Sequence, residues 1–256
     1  MSAEAGNSVR SVERAVDILR CFDRESPTLA VTDLQRRLGL SRPTLYRLLK
    51  TLEGKRLIRS FGEPKRFELG HGVVELARSW LGRSDVTTMA QPILNQLWRE
   101  TEETVAMFVP TSAHSRICVD EIQSRQALTF TRGTGFSEPM TLGSSGKAML
   151  AFLDRLEIDD AMAGMADADE RAALMSELDT IRRDGSCVST GEIIAGAVAI
   201  AAPVFDADDR VAASISVFGP EARLTGDHRA YCLEQVRAAA EAVSTAMGRR
   251  PVPDTK

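Results

Sequence analysis

Two stretches carry residue types whose spacing could do chemistry. The first, Gly143-Ser-Ser-Gly-Lys147, sets two hydroxyls and an amine in a turn of small residues. A phosphate-binding loop needs a Gly five places before Gly146 and a Ser or Thr after the Lys. Thr141 and Ala148 stand there instead. Ser144-Ser-Gly-Lys147 also fits the Ser-x-x-Lys of acyl-enzyme chemistry, but no Ser-Asp-Asn or Lys-Thr-Gly accompanies it. What remains is a turn ahead of a helix. Backbone N–H groups there favour an anion such as a ligand carboxylate, and small side chains leave it room. The second stretch runs from Ser41 to Lys55. Leu45, Leu48, Leu49 and Leu52 recur at the i, i+3, i+4, i+7 spacing of one helical face. Ser41, Arg42, Pro43, Thr44, Tyr46, Arg47, Lys50 and Thr51 fall mostly off that stripe. A cationic, hydroxyl-bearing face on a helix suits a major groove: Arg and Lys pair with phosphates or guanine, while Thr and Ser reach base edges or the backbone.

Other reactive residue types do not gather. His71, His114 and His228 are isolated, and Cys21, Cys118, Cys187 and Cys232 form no Cys-x-x-Cys or Cys/His cluster. The sequence therefore predicts no catalytic residue, no metal site and no cofactor. Glu192, after Gly191, reads as a turn residue rather than a buried polar contact.

The elements that must position these stretches follow from periodicity and punctuation. An apolar stripe predicts a helix over 11–22, broken at Ser26-Pro27-Thr28. Thr32-Asp-Leu-Gln35 has the capping-box spacing and opens a short helix through Leu38, after which Gly39 permits a tight turn. Ser41 stands at an N-cap, with Pro43 in the first turn of the next helix. Two helices joined by a short Gly-containing turn make a helix-turn-helix, whose second helix enters the major groove. Residues 57–61 and 65–70, separated by Gly62-Glu-Pro64, predict a β-hairpin placed as a wing. Lys65 and Arg66 on its return strand are positioned for phosphates or the minor groove.

Residues 73–81 predict a linker helix running to Gly82-Arg-Ser-Asp85, and residues 86–102 a second helix. Strands are expected over 104–110, 115–123 and 127–131, a helix over 146–153, and two helices within 154–183 that split near Asp167-Ala-Asp169. Residues 185–191 turn into a strand of small residues, 194–205, which turns again at Asp206-Ala-Asp-Asp209 and returns over 211–218. Thr225 caps a final helix to about Met247. Residues 1–9 and 249–256 read as frayed ends.

Length and composition suit one or two globular domains. Net charge is −4, but unevenly spread. Residues 1–70 hold fourteen Lys/Arg against nine Asp/Glu, and the rest of the chain holds 18 against 27. A basic head on an acidic body is consistent with the head meeting a polyanion. No signal-peptide core opens the chain, and the longest nearly apolar run, residues 193–205, is too short to span a bilayer. A reducing cytoplasm is the expected compartment.

Several of these stretches resemble the IclR-type bacterial transcriptional regulators. Residues 10–19 (RSVERAVDIL) are similar to the family's opening helix, residues 40–52 (LSRPTLYRLLKTL) to its recognition helix and residues 67–70 (FELG) to its wing end. Residues 143–151 (GSSGKAMLA), 183–189 (RDGSCVS) with Gly191-Glu192, and 201–206 (AAPVFD) resemble its later motifs. The family often has an aromatic where Ser186 stands and Gly where Asp209 stands.

The resemblance implies an α+β chain: an N-terminal winged helix-turn-helix, a linker helix and a C-terminal GAF-like α+β effector-binding domain with an antiparallel sheet. The expected domains are 1–70, 71–85 (the linker) and 86–256. It further implies dimers through the DNA-binding half that pair into tetramers, and effectors that are small organic acids, often aromatic. By position it implies an effector pocket of Phe130, Ser144, Ser145, Ser189, Ala197, Ala199, Ser216 and Phe218.

The expected function is a sequence-specific regulator whose hold on double-stranded operator DNA is controlled by a small molecule. The alternative is an enzyme on a small organic acid with an accessory winged helix, which would need a nucleophile–base pair or a metal cluster. A constitutive architectural DNA binder would not need nearly 170 residues of acidic α+β domain.

Overall fold

In the computed structural model, residues 9–23, 26–81 and 85–250 are described, residues 78–81 and 85 only as members of helices. The expectations for residues 1–8, 82–84 and 251–256 lie outside the described residues. The chain forms two compact units, Met1–Ser84 and Asp85–Lys256.

The first unit holds α1 (Arg10–Arg20), β1 (Leu29–Ala30), α2 (Val31–Leu38), α3 (Arg42–Gly54), β2 (Ile58–Phe61), β3 (Arg66–Leu69) and α4 (His71–Leu81). Its core gathers Ile18, Leu34, Leu45, Leu49, Ile58 and Phe67. Each such side chain contributes about 1.5–3 kcal/mol by leaving water. The α2 start differs from the expected capping box. The N-cap is Ala30, two residues before Thr32, and it is the Asp33 carboxylate that accepts from the Ala30 N–H, at 3.1 Å. Gly39 ends the helix at φ +62, its N–H donating to the Gln35 carbonyl. β1 was not legible in sequence. It pairs antiparallel with β3, which pairs with β2, in a three-stranded sheet ordered β1-β3-β2. Gly70 lets the end of the wing press on the preceding turn, where a Cβ would collide with the Arg56 carbonyl.

The second unit comprises α5 (Asp85–Thr101), β4 (Thr104–Pro110), β5 (Ser115–Ile122), β6 (Ser137–Pro139), α6 (Gly143–Leu150), α7 (Arg155–Ala161), α8 (Ala168–Asp184), β7 (Cys187–Thr190), β8 (Ala197–Phe205), β9 (Val211–Pro220) and α9 (Gly226–Ala246). Its strands form a six-stranded antiparallel sheet ordered β6-β5-β4-β9-β8-β7. Strand periodicity sends Val105, Met107, Val198, Ile200, Ile215 and Val217 to one face, beneath α5 and α9. Ala106, Phe108, Ala201 and Phe218 point the other way, toward α6, α7 and α8.

Three expectations change here. Residues 127–131 form no strand, because Thr104 Oγ1 donates to the Phe130 carbonyl and ties that segment down as loop. Residues 187–190, expected as turn, form β7 at the sheet edge. Helix α6 starts at Gly143, three residues early, with Gly143 itself at φ +73. At the β8–β9 tip, Asp209 holds φ +59, a left-handed conformation that Asp tolerates and Gly takes without strain.

Candidate functional site

Helix α3 separates its two faces as its spacing required. Leu45, Leu48, Leu49 and Leu52 are buried. Ser41, Arg42, Pro43, Tyr46, Arg47, Lys50 and Thr51 are exposed, and Thr44 is half-buried. The Ser41 hydroxyl bonds to Thr44 Oγ1 at 2.9 Å rather than capping the backbone. The Arg42 guanidinium lies 5.9 Å from the Tyr46 ring centroid. Arg47 and Lys50 make no side-chain hydrogen bond or ion pair among the described residues, so their charge is free for an external anion.

On the wing, Lys65 is exposed. Arg66 is exposed too, but its Nη2 donates to the Thr28 carbonyl at 2.9 Å, tying β3 to the segment before β1. Arg59 pairs with Glu68 across the hairpin, and Glu53 accepts from both the N–H and the hydroxyl of Ser60, bracing the wing on α3.

In the second unit an open cleft, with a cavity volume of about 40 Å³, lies between the start of α6 and the sheet. Seven of the eight residues implied by resemblance line it: Ser144, Ser145, Ser189, Ala197, Ala199, Ser216 and Phe218. Phe130 is the exception. It packs against the apolar cluster that holds α6 and α8 to the sheet and is not on the cleft wall. Sequence reasoning missed Phe108, Arg132, Glu138, Gly191, Glu192, Ile193 and Ile194, which also line the cleft. Alternation along β4 marked Phe108 as sharing a face with Ala106, but no local signal aimed Arg132 or Glu138 inward.

The start of α6 is braced from several directions. Arg116, fully buried, donates from Nε to Ser145 Oγ at 2.9 Å, from Nη2 to Glu138 Oε2 at 2.7 Å, and from Nη1 to the Pro139 carbonyl. Burial pulls its pKa down to about 10, Glu138 opposing and Arg132 adding, so it keeps its charge at neutral pH. Lys147, 4% exposed, donates to Glu177 Oε1 at 2.7 Å and to Glu192 Oε1 at 2.6 Å. Burial acts to lower its pKa, but the two carboxylates outweigh it and the net shift is upward, keeping the amine protonated.

Glu192 is therefore more than a turn residue. Its other oxygen accepts from the Gly143 N–H at 3.0 Å, while Ser189 Oγ accepts from the Ser144 N–H at 3.0 Å. The first two N–H groups of α6, expected to be open to a ligand anion, are capped by the protein itself. Lys147 sits in this brace and has no activated serine beside it. Among the described residues no group of three or more His, Cys, Asp or Glu could hold a metal ion.

A winged helix-turn-helix with an exposed basic face, carried on the same chain as an α+β unit with a cleft between helix and sheet, defines a DNA-binding transcriptional regulator with an effector-binding domain. Residues 11–60 match the IclR helix-turn-helix domain, and residues 78–245 match the bacterial transcriptional regulator IclR C-terminal domain. The chain belongs to the IclR family of bacterial transcriptional regulators.

It is 29% identical over 247 residues to the HTH-type transcriptional regulator XynR of Escherichia coli (94% of this chain, 98% of the relative). It is 29% identical over 255 residues to the transcriptional repressor IclR of the same organism (96% and 93%). The crystal structure of an IclR transcriptional regulator from Alicyclobacillus acidocaldarius shares the fold, with TM-score 0.80 and 23% identity over 94% of this chain and 100% of that one. The family and these relatives are regulators, not enzymes, which removes the alternative of a small-acid enzyme.

Proposed function

We propose that this regulator reads operator DNA with the exposed face of α3 and the wing, and that a small organic acid in the α6 cleft controls that binding. On the DNA side, Arg42, Arg47, Lys50 and Lys65 supply phosphate or guanine contacts, and Ser41, Thr44, Tyr46 and Thr51 polar ones. Pro43 fixes the helix start. Arg66 serves from a tethered position. The observation that carries the effector half is the cleft itself. Seven side chains scattered over some 75 positions of sequence converge on one cleft between the start of α6 and the sheet.

The reading extends to assembly. At and after the start of α1, Val9, Val12 and Val16 are exposed at helical spacing, and on α4 Val74 and Leu76 are exposed as well. These exposed apolar side chains support a dimer through the DNA-binding half; that such dimers pair into tetramers is what the family resemblance implies. The working compartment is the cytoplasm, where operator and metabolite meet. Among the described residues no helix is long and apolar enough to cross a membrane.

Selecting duplexes from a random pool should yield a pseudo-palindrome with half-sites spaced by whole helical turns. Titrating small acids into that complex should then shift operator affinity. An acid that binds the protein while leaving operator affinity unaltered would remove the regulatory half. Binding without two-fold symmetry in the selected sites would remove the dimer.

A further inference from the structure

A cavity of about 40 Å³ in the α6 cleft has room for about three waters and for no organic acid. For the cleft to fill, one wall must move, and the walls differ in how firmly they are built. The sheet floor is held by its backbone ladders, and the start of α6 by the buried Arg116. The segment between β7 and β8 has neither kind of support.

That segment runs from Gly191 at φ +70 to Gly196 at φ +76, left-handed conformations that glycine takes without strain. Both ends are anchored. The Gly191 N–H donates to the Ala197 carbonyl at 2.8 Å, and the Gly196 carbonyl accepts from the Glu221 N–H at 2.8 Å. Between these anchors the N–H groups of residues 192–196 donate to no backbone carbonyl among the described residues. A segment with so few backbone bonds opens locally at low cost.

Side chains hold it down over the cleft, which Glu192, Ile193 and Ile194 line. One Glu192 oxygen accepts from the Gly143 N–H at 3.0 Å, and the other from Lys147 Nζ at 2.6 Å. Ile193 rests on the bare Cα of Gly143, where a Cβ would collide with its Cδ1. Lys147 also donates to Glu177, at 2.7 Å, so it keeps a counter-charge when Glu192 leaves. Opening therefore strands no buried charge, the event that makes breaking such pairs costly.

We infer that residues 191–196 are a hinged strap that closes the cleft, with Glu192 as its latch, and that a ligand enters only when the latch lets go. This rests on the proposed effector site and adds how access to it is regulated. The apparent affinity of any ligand is reduced by the fraction of molecules whose strap is lifted.

The test uses the full chain carrying Ser216→Cys, which sets a thiol on the cleft floor where Ser216 is buried. N-ethylmaleimide is itself the size of a small organic acid, and mass spectrometry reads its addition at each cysteine separately. Labelling should run about tenfold or more slower than in guanidinium, since only a minor open state admits the reagent. Glu192→Ala should speed it about tenfold or more, because two hydrogen bonds to a charged group are lost. Ile193→Ala should speed it several-fold. Cys232, buried on the other face of the sheet, should keep its rate in both. If Ser216→Cys fails to fold, Ala199→Cys on the neighbouring strand takes its place.

Labelling as fast as in guanidinium would show a cleft that is never closed and would overturn the inference. So would a rate unchanged in both Glu192→Ala and Ile193→Ala, or an equal rise at Cys232, which would mean that these residues hold the whole domain and not a strap. The effector reading fails separately. If maleimide seated on Ser216→Cys left operator affinity unaltered, the cleft would lose its regulatory role while the strap stood.

Discussion

Replacing Arg116 by Met tests the brace beneath the cleft. Met keeps much of the stem's volume and removes the guanidinium. What is lost is three hydrogen bonds, to Ser145, Glu138 and the Pro139 carbonyl, and one half of a buried ion pair. Breaking a buried pair from one side costs about 3–5 kcal/mol, because the remaining charge is stranded. Here Glu138 keeps Arg132 within 3.1 Å, which places the loss near the lower end, about 3 kcal/mol. Glu138→Gln alone strands Arg116 and should cost at least as much. The double variant removes both charges, and its cost should fall short of the sum of the singles by about 1–3 kcal/mol.

Urea unfolding at pH 7, followed by Trp98 fluorescence in a Trp80→Phe background, measures all three. Trp98 reports on the right unit, because its indole N–H donates to the Gln123 carbonyl at 2.9 Å. The pH dependence has a definite sign. The folded state holds the Arg116 proton less tightly than the unfolded chain, its pKa lowered to about 10 from the ordinary guanidinium value. This term therefore stabilises the fold progressively as pH rises from about 10, and the gap between wild type and Arg116→Met widens there. An Arg116→Met protein within about 1 kcal/mol of wild type at pH 7 would refute the brace.

Arg47→Ala should lower operator affinity by about 1–3 kcal/mol, roughly 5- to 150-fold, without moving the melting temperature, since the side chain is exposed. If its contact is to phosphate, the slope of log affinity against log salt falls by about one. Unchanged affinity in a gel shift counts against α3 as the reading helix. Gly70→Ala drives a methyl into the backbone of Arg56 and Ile58, which cannot give way as a side chain would. It should destabilise the DNA-binding unit by about 1–3 kcal/mol in a circular-dichroism melt of the full chain, and a wild-type melt would show that the turn relaxes. Burial raises the Cys21 thiol pKa and pushes Cys118, Cys187 and Cys232 to about 12, which holds them as unreactive thiols. A chromogenic disulfide reagent at pH 8 should find four cysteines in guanidinium and none in the native chain; fast native reaction would contradict that burial.

Much of the DNA-binding unit was legible because its signals are local. The Leu45-Leu48-Leu49-Leu52 spacing alone decided which side chains of α3 could face out, and Gly39 marked the turn before it. The two-residue β1 carries no periodicity, and the α2 cap went to Asp33 because one carboxylate can reach the Ala30 N–H whatever hydroxyl lies nearby. In the second unit, alternation gave β4, β8 and β9. It failed at residues 127–131, where an apolar run is held as loop by Thr104, a residue over twenty positions away.

By itself the sequence determined a basic, outward-facing helix with a wing, an acidic α+β body, and a turn of small residues ahead of a helix. Those follow from period, turn chemistry and charge, each set by residues within a few positions of one another. Tertiary structure alone decided that Glu192 caps α6 and holds Lys147, that Arg116 and Arg132 share Glu138, and that Ser144 is left unpaired beside them. Such contacts join residues up to 49 positions apart. They are set by how strands and helices pack rather than by any rule of spacing, and they fix where charge lies in the cleft.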